Sequence, residues 1–447
     1  MINSEYVLFA GALVLILIDF LRKTLGVESK KSLHYATLIL LFLAFIVELF
    51  YGDMNLPFFS STQYTGFINS FILFIALAIY AFFLVDSEEH SAFMDFLFVF
   101  ATLGALLVVI SSNLIALAVS IELISLASYG LVFFQKSDRR MEGAMKFVVL
   151  GFLSFVIMLF GISLVYSGSG TLDFTGLSII NYVPFIGGIA LLMVGLSFKS
   201  TIVPFHMWAP DVYEASNGTV TAFLSSVSKT AGLVAMIRVF FYAFPVSSQF
   251  VSIMFIILAI STIFFSSFLA TVQDKIKRIL AYSSISQAGF AFVGVSVLNT
   301  QGISSAVFYI FTFAIADALI FLSYKIFEDN KIIYKKDMPL MPAVSKIATI
   351  CFFIGILSLA GFPPTMGFFG KLLIFSALLQ NGYITYVIAL FVILLFSTFY
   401  YFGLLRELIL EKSVFKIQKI SGNLHAKEAI LIILTIALFI GVIFVGL

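Results

Sequence analysis

The sequence predicts an all-α polytopic membrane protein of about fourteen transmembrane helices, arranged as two inverted five-helix repeats that each contain a broken helix. Three observations lead there: a composition too apolar for a soluble domain, a one-sided distribution of basic residues, and two apolar runs interrupted by proline beside a lysine. The 447-residue chain is 62% hydrophobic and 11% charged, with a mean hydropathy of +1.14. A soluble domain carries roughly 25% charged residues. The net charge of +2 offers no basic field for nucleic acid. The single cysteine, Cys351, excludes a Cys-ligated iron–sulfur cluster and a disulfide framework, so redox chemistry would have to come from partners.

A spanning helix needs about 20 apolar residues. On that criterion the spans centre near Leu13, Leu41, Ile75, Ala101, Leu123, Phe155, Met193, Ala231, Leu258, Gln287, Ala316, Ala360, Ile393 and Ala437. The start, M-I-N-S-E-Y, has no basic n-region, so the first apolar run reads as a retained span. Basic residues collect in alternate connections: Arg22, Lys23, Lys30 and Lys31; Lys136, Arg139, Arg140 and Lys146; Lys275, Lys277 and Arg278; Lys325, Lys331, Lys335, Lys336 and Lys346; Arg406, Lys412, Lys416, Lys419 and Lys427. A fourteen-span arrangement puts all of these on one side, the cytoplasmic side by the positive-inside rule, with both termini outside. Only Lys199, Lys229, Arg238 and Lys371 remain, each inside a span. Among the acids, Glu122 and Asp317 fall near span centres. Asp19, Glu48 and Asp95 lie nearer span ends, where a carboxylate is expected to reach the interface.

The stretch L-S-F-K-S-T-I-V-P-F-H-M-W-A-P-D from Leu196 puts Lys199 deep in an apolar run and Pro204 about one and a half turns later. Charge at mid-membrane is costly, and proline removes a backbone donor, so this run is expected to break beside a water-accessible ionisable group. The twelfth run repeats the defect, with Pro363 and Pro364 followed by Lys371 in L-S-L-A-G-F-P-P-T-M-G-F-F-G-K. Interrupted helices at corresponding places in two halves point to an ion site in inverted-repeat transporters. Five spans separate the breaks, and an odd offset reverses direction across the membrane. The chain then divides into a three-helix segment (1–91), a first repeat (92–245), a second repeat (246–412) and a last helix (413–447).

Glu122, in I-E-L-I-S-L-A-S-Y, is the natural counter-charge for Lys199. At about 4 Å and an effective dielectric near 20 such a pair is worth roughly 4 kcal/mol, and about half that at 7 Å, so small movements would load or unload a proton. The competing reading is a static ion pair. Lys229, in S-S-V-S-K-T-A-G, would take the next proton, with Ser225, Ser228 and Thr230 offering hydroxyls; its alternative is a lysine neutralised by burial. Asp317 would bridge the two halves or pair structurally with Lys229 or Lys371. Lys371 would exchange protons with the far side or snorkel to the interface. His206 suits a relay between water and Lys199, against an interfacial histidine without a role. Trp208 reads as a headgroup anchor, Arg238 as a support for a carbonyl or acid, and G-S-G at Gly168 lacks the third glycine of a nucleotide motif.

Four stretches carry a resemblance: P-F-H-M-W-A-P-D-V-Y from Pro204, S-K-T-A-G around Lys229, R-I-L-A-Y-S-S-I-S-Q-A-G from Arg278, and A-G-F-P-P-T-M-G-F-F-G-K from Ala360. The chain resembles the N-type membrane subunit of proton-pumping NADH:quinone oxidoreductase, respiratory complex I, in the family shared with Mrp-type antiporter subunits. The N type is indicated by lysine at 371, where the M type resembles this pattern with glutamate, and by the absence of an L-type lateral helix after the last span. The resemblance implies a proton path through Glu122, Lys199, Lys229 and Lys371 in the cell inner membrane. It also implies a non-redox subunit, without cofactor or quinone site of its own, whose partners are M-type and small K/J/A-type membrane-arm subunits. NADH, FMN, iron–sulfur clusters and quinone would belong to partner subunits. Alternatives are an Mrp-type sodium/proton antiporter subunit, a related hydrogenase- or ferredoxin-driven pump, and a purely structural membrane subunit. Two departures stand out: E-A-S-N-G-T-V follows Tyr213 where the family pattern has G-A-P-T-P-V, and Asp317 sits where N-type relatives are commonly uncharged.

Overall fold

The computed structural model describes residues 3–24, 31–50, 54–55, 58–86, 91–133, 138–243, 248–410 and 424–446. Lys30, Lys136, Lys412, Lys416 and Lys419, and the expected segment boundaries at 245 and 412, lie outside the described residues. The described chain is helical apart from a two-residue antiparallel pairing of Met54–Asn55 with Ser60–Ser61 and isolated bridges. Among the described residues twelve helices are long and apolar enough to cross a membrane, and each contains one of the expected span centres. The other two centres fall in α1 (Ser4–Thr24) and at the end of a shorter apolar helix, Lys346–Ala360. The chain is a multi-pass membrane protein.

Two compact units are formed, Met1–Lys199 with Val227–Phe244, and Ser200–Ser226 with Pro245–Leu447. The first holds α1, α2 (Lys31–Leu49), α3 (Gln63–Asp86), α4 (Ala92–Ile110), α5 (Leu114–Phe133), α6 (Asp138–Ser169), α7 (Tyr182–Lys199) and α10 (Lys229–Ile237). To the second belong α8 (Trp208–Ala215), α9 (Gly218–Phe223), α11 (Ser248–Thr271), α12 (Ile276–Ser296), α13 (Thr300–Asp329), α14 (Met341–Val344), α15 (Lys346–Ala360), α16 (Met366–Gln380), α17 (Ile384–Leu410) and α18 (Leu424–Ile440). The segment after the first break thus packs with later helices: Tyr213 meets Phe321 edge-on at 5.7 Å, and a Cβ at Gly218 would lie 2.7 Å from Lys325 Cβ.

Local chemistry sets the helix ends. Ser91, Asn217, Asn299 and Ser345 each accept a hydrogen bond from an amide of the following first turn, as N-caps do. Helix α15 stops at Gly361, whose φ of +88° is the left-handed C-terminal cap that glycine adopts without strain. Close approach of α6 and α7 relies on small residues, because lipid gives helices no hydrophobic reason to associate. A Cβ at Gly188 would stand 2.7 Å from both Gly161 O and Val165 N, and one at Gly168 2.7 Å from Phe185 N. Gly168 is therefore a packing glycine. Helix α12 and the Gly218–Phe240 span are enclosed except at Arg278 and Arg238, in keeping with the hydroxyl and amide side chains they carry.

Gly188→Ala should push α6 and α7 apart and cost about 1–3 kcal/mol, since backbone cannot yield as a side chain can. At Gly187 a Cβ meets only Leu164 Cδ1 at 3.7 Å. Thermal unfolding in detergent should therefore show a lowered midpoint for Gly188→Ala and little change for Gly187→Ala.

Candidate functional site

In the first unit the chain leaves α7 at Lys199, and no α-helix resumes until Trp208. The gap contains Thr201 at φ +57° and a cis Val203–Pro204 bond. Lys199 is 3% exposed, and its Nζ donates to Ser125 Oγ at 3.3 Å. Ser125 in turn donates to Ile121 O at 2.9 Å. One helical turn earlier on the same face of α5, Glu122 presents a buried Oε1 with no hydrogen-bond partner. Glu122 and Lys199 act on each other electrostatically but are not within the 4.0 Å of a direct ion pair. Ser125, which the sequence reading did not single out, is the side chain in contact with the lysine. The hydroxyls of Ser128, Tyr129 and Ser197 are also buried without protein partners. Such groups are normally satisfied by ordered water, so this part of the unit has the polarity of a hydrated site.

Lys229 is 1% exposed and opens α10 directly after a π-helical segment, Leu224–Ser228. Single π turns inside helices recur at functional sites because the widened turn re-aims the following side chain. Of the expected hydroxyls, Ser225 bonds back to Ala222 O, while Thr230 Oγ1 is buried and unpartnered. Arg238 donates to Ser111 O and lies 5.8 Å from the Phe174 ring centre, a supporting role.

The second unit repeats the pattern of lysine and break with a different partner. Lys371 on α16 is 6% exposed and donates to Leu359 O at 2.7 Å and Ala360 O at 3.1 Å, the last carbonyls of α15. Its Nζ also lies 4.9 Å from the Phe290 ring centre. The lysine does not snorkel, and it is not paired with Asp317. Instead it caps a helix C-terminus, whose unpaired carbonyls carry partial negative charge. Gly361 makes room for it, since a Cβ there would lie 3.0 Å from Lys371 Cδ.

A buried polar chain continues from that carbonyl. Gln287 Nε2 donates to Leu359 O at 3.2 Å and to Tyr401 Oη at 2.6 Å, and Tyr309 donates to Gln287 Oε1. Tyr401 Oη shares a hydrogen bond with Ser283, and the adjacent Ser284 donates to Asp317. Asp317, 1% exposed on α13, and Lys371 are thus each bonded to polar groups that lead to α12, with Ser283 and Ser284 adjacent in the chain but not bonded to each other through their side chains. Reading the sequence for charges missed Ser125, Gln287, Tyr309 and Tyr401. The available signal was S-S-I-S-Q, a polar cluster at mid-span.

Trp208, Glu48 and Asp95 are placed differently from expectation. Trp208 is buried, edge-on to Tyr213 at 6.1 Å, rather than placed as a headgroup anchor. His206 is buried with Nδ1 unpartnered. Glu48 and Asp95 do not reach out to an interface; both are enclosed, and Asp95 accepts from Tyr80 at 2.9 Å and pairs with His34 Nδ1 at 2.5 Å. The E-A-S-N-G-T-V segment forms a capped turn in which Glu214 bonds Lys275 and Arg278, with Arg278 also bonding Asp211. Burial would raise the Glu214 carboxyl, but hydrogen bonds from Lys275 and Arg278, and their charges, hold it below the usual carboxylate value.

Residues 111–398 match the family model described as NADH:quinone oxidoreductase/Mrp antiporter, transmembrane. The F(420)H(2) dehydrogenase subunit N of Methanosarcina mazei is 32% identical over 98% of this chain and 94% of its own length. NADH-quinone oxidoreductase subunit N 1 of Thermodesulfovibrio yellowstonii is 33% identical over 95% of this chain and 92% of its own. Among solved structures, a chain of respiratory complex I from Thermus thermophilus superposes with a TM-score of 0.86 at 25% identity, covering 99% of this chain and 98% of that one. With buried lysines beside both helix breaks and this extent of likeness, the chain belongs to the NADH:quinone oxidoreductase/Mrp antiporter family of transmembrane subunits.

Proposed function

We propose that the chain is the N-type proton-translocating subunit of a redox-driven oxidoreductase, passing protons along Glu122, Lys199, Lys229, Asp317 and Lys371, with His206 serving the entrance. The observation that carries this reading is the burial of Lys199, Lys229 and Lys371 in a chain whose other lysines avoid the span centres. An ammonium enclosed among helices is expensive unless its surroundings are polar, and each break supplies such surroundings. At Lys199 the charge on Glu122 acts across a pocket of unsatisfied hydroxyls, so a shift of Glu122 toward or away from the lysine changes the stability of the ammonium by kilocalories. At Lys371 the carbonyls of α15 hold the lysine, and the hydroxyls of Tyr401 and Ser283 lead back toward Asp317.

The segments 92–245 and 246–412 act as two inverted units in this reading, flanked by 1–91 and 413–447. Both termini face outward from a cell inner membrane, because the basic residues then lie inside. The chain has no redox centre of its own. NADH or another donor, FMN, iron–sulfur clusters and quinone belong to partner subunits, and M-type and small K/J/A-type subunits are its membrane neighbours. The donor is open within the family: one relative is named for F(420)H(2) and another for NADH. The family description also names the Mrp antiporter, which makes sodium/proton exchange the second reading.

Lys199→Ala should abolish the share of proton pumping carried by this subunit while leaving the complex assembled. The proton-to-electron ratio in native vesicles measures it, and an unchanged ratio would refute the role. Sodium-dependent exchange in the same vesicles would favour the antiporter.

Ser125→Ala should slow pumping several-fold without loss of stability, and Ser125→Thr should restore it, because the hydroxyl is what the lysine contacts. Lys371→Met keeps side-chain volume but leaves Leu359 O and Ala360 O with fewer donors. A loss of about 1–3 kcal/mol in thermal unfolding is expected, together with loss of pumping.

A further inference from the structure

The N-terminal helices hold a second set of buried acids that the lysine series does not use. Glu5 lies in the first turn of α1 and Glu48 near the end of α2, which brings both to the end of these helices away from Arg22 and Lys23. Both are more than nine-tenths enclosed. Asn69 on α3, fully buried, donates from Nδ2 to Glu5 Oε1 at 3.1 Å, and its amide also reaches Glu48. Ser4 Oγ donates to Glu48 Oε2. Asn69 Oδ1, held at the same place by an amide that touches both acids, has no donor.

Two imbalances coincide here. Acceptors outnumber donors among the described residues, since two carboxylates and the Asn69 oxygen are served by the Ser4 hydroxyl, the Asn69 NH₂ and the Glu5 backbone N–H. Charge is uncompensated as well: the charged group acting on Glu48 is Glu5, of like sign. On the neighbouring α4, Asp95 is already paired with His34. Two carboxylates crowded in a poorly solvated place cannot both keep their charge cheaply. One proton corrects both defects, because it removes a negative charge and converts an acceptor into a donor.

Glu48 borders open space. A cavity of about 500 Å³ lies beside Glu48, lined by Thr62, Gln63, Gly66 and Ser70 together with phenylalanines. Gly66 leaves the carboxylate open to it, since a Cβ there would be 3.6 Å from Glu48 Oε1. We propose that Glu5, Glu48 and Asn69 form a proton-binding site that holds one exchangeable proton and trades it through the cavity beside Glu48.

A hydrophobic carbodiimide, which modifies protonated carboxyls, tests this on the full chain in native membranes, with adducts located by peptide mass spectrometry across about pH 5 to 9. The expected result is an adduct on Glu48 or Glu5 that declines as pH rises. In Glu5→Gln the midpoint for Glu48 should fall by about one pH unit, because the like charge is gone. Should Glu5→Gln fail to assemble, the infrared carbonyl band of a protonated acid, present at neutral pH in the wild type and lost in Glu48→Gln, reads out the same proton. Absence of an adduct on both acids, a midpoint unmoved in Glu5→Gln, or protection by sodium ions, which would assign the cluster to a metal cation, overturns the proposal.

Discussion

A lysine ammonium enclosed among membrane helices must find oxygen atoms, and an intact helix has none to give because its carbonyls are already bonded within the helix. Interrupting a helix releases them. Lys371 takes the two carbonyls that end α15, and the left-handed Gly361 is what turns the chain away so that those carbonyls point at the lysine. The break and the charge are therefore one device, since either without the other would leave a buried polar group unpaired.

Lys199 solves the same problem differently. It is the last residue of α7, so the unpaired carbonyls of its own helix end are close at hand, yet its hydrogen bond goes to Ser125 on α5. Glu122 is kept one turn away and out of direct contact. A tight ion pair would be electrostatically deep and hard to empty, whereas a carboxylate held beyond contact modulates the lysine without trapping its proton. The serine that accepts from the lysine and the unsatisfied hydroxyls nearby leave its surroundings polar without a contacting charge. The rigid surroundings come from backbones in near contact, as where α6 meets α7 at Gly188.

Much of the architecture was legible because hydrophobic run length, proline and the sidedness of basic residues are local signals. Twelve spans, both breaks and the enclosed Lys199, Lys229 and Lys371 follow from them. What stayed hidden depends on neighbours. Glu48 and Asp95 lie near span ends, where a lone carboxylate would reach for water, but Asn69 in one case and His34 with Tyr80 in the other offer partners that no sequence spacing announces. Trp208 likewise has the sequence position of an interfacial anchor and the surroundings of a core residue.

Gln287 shows why a reading based on charges alone falls short. It has no charge to mark it, yet it links the carbonyl that accepts from Lys371 to the hydroxyls of Tyr401 and Tyr309. An amide can donate and accept at once without titrating, so it orients the hydroxyls on either side. Ser283 bonds Tyr401, and the next residue, Ser284, bonds Asp317 on the neighbouring helix. Buried charges in this unit are thus surrounded by uncharged side chains that hold a direction, which α12, enclosed except at Arg278, supplies in the sequence S-S-I-S-Q.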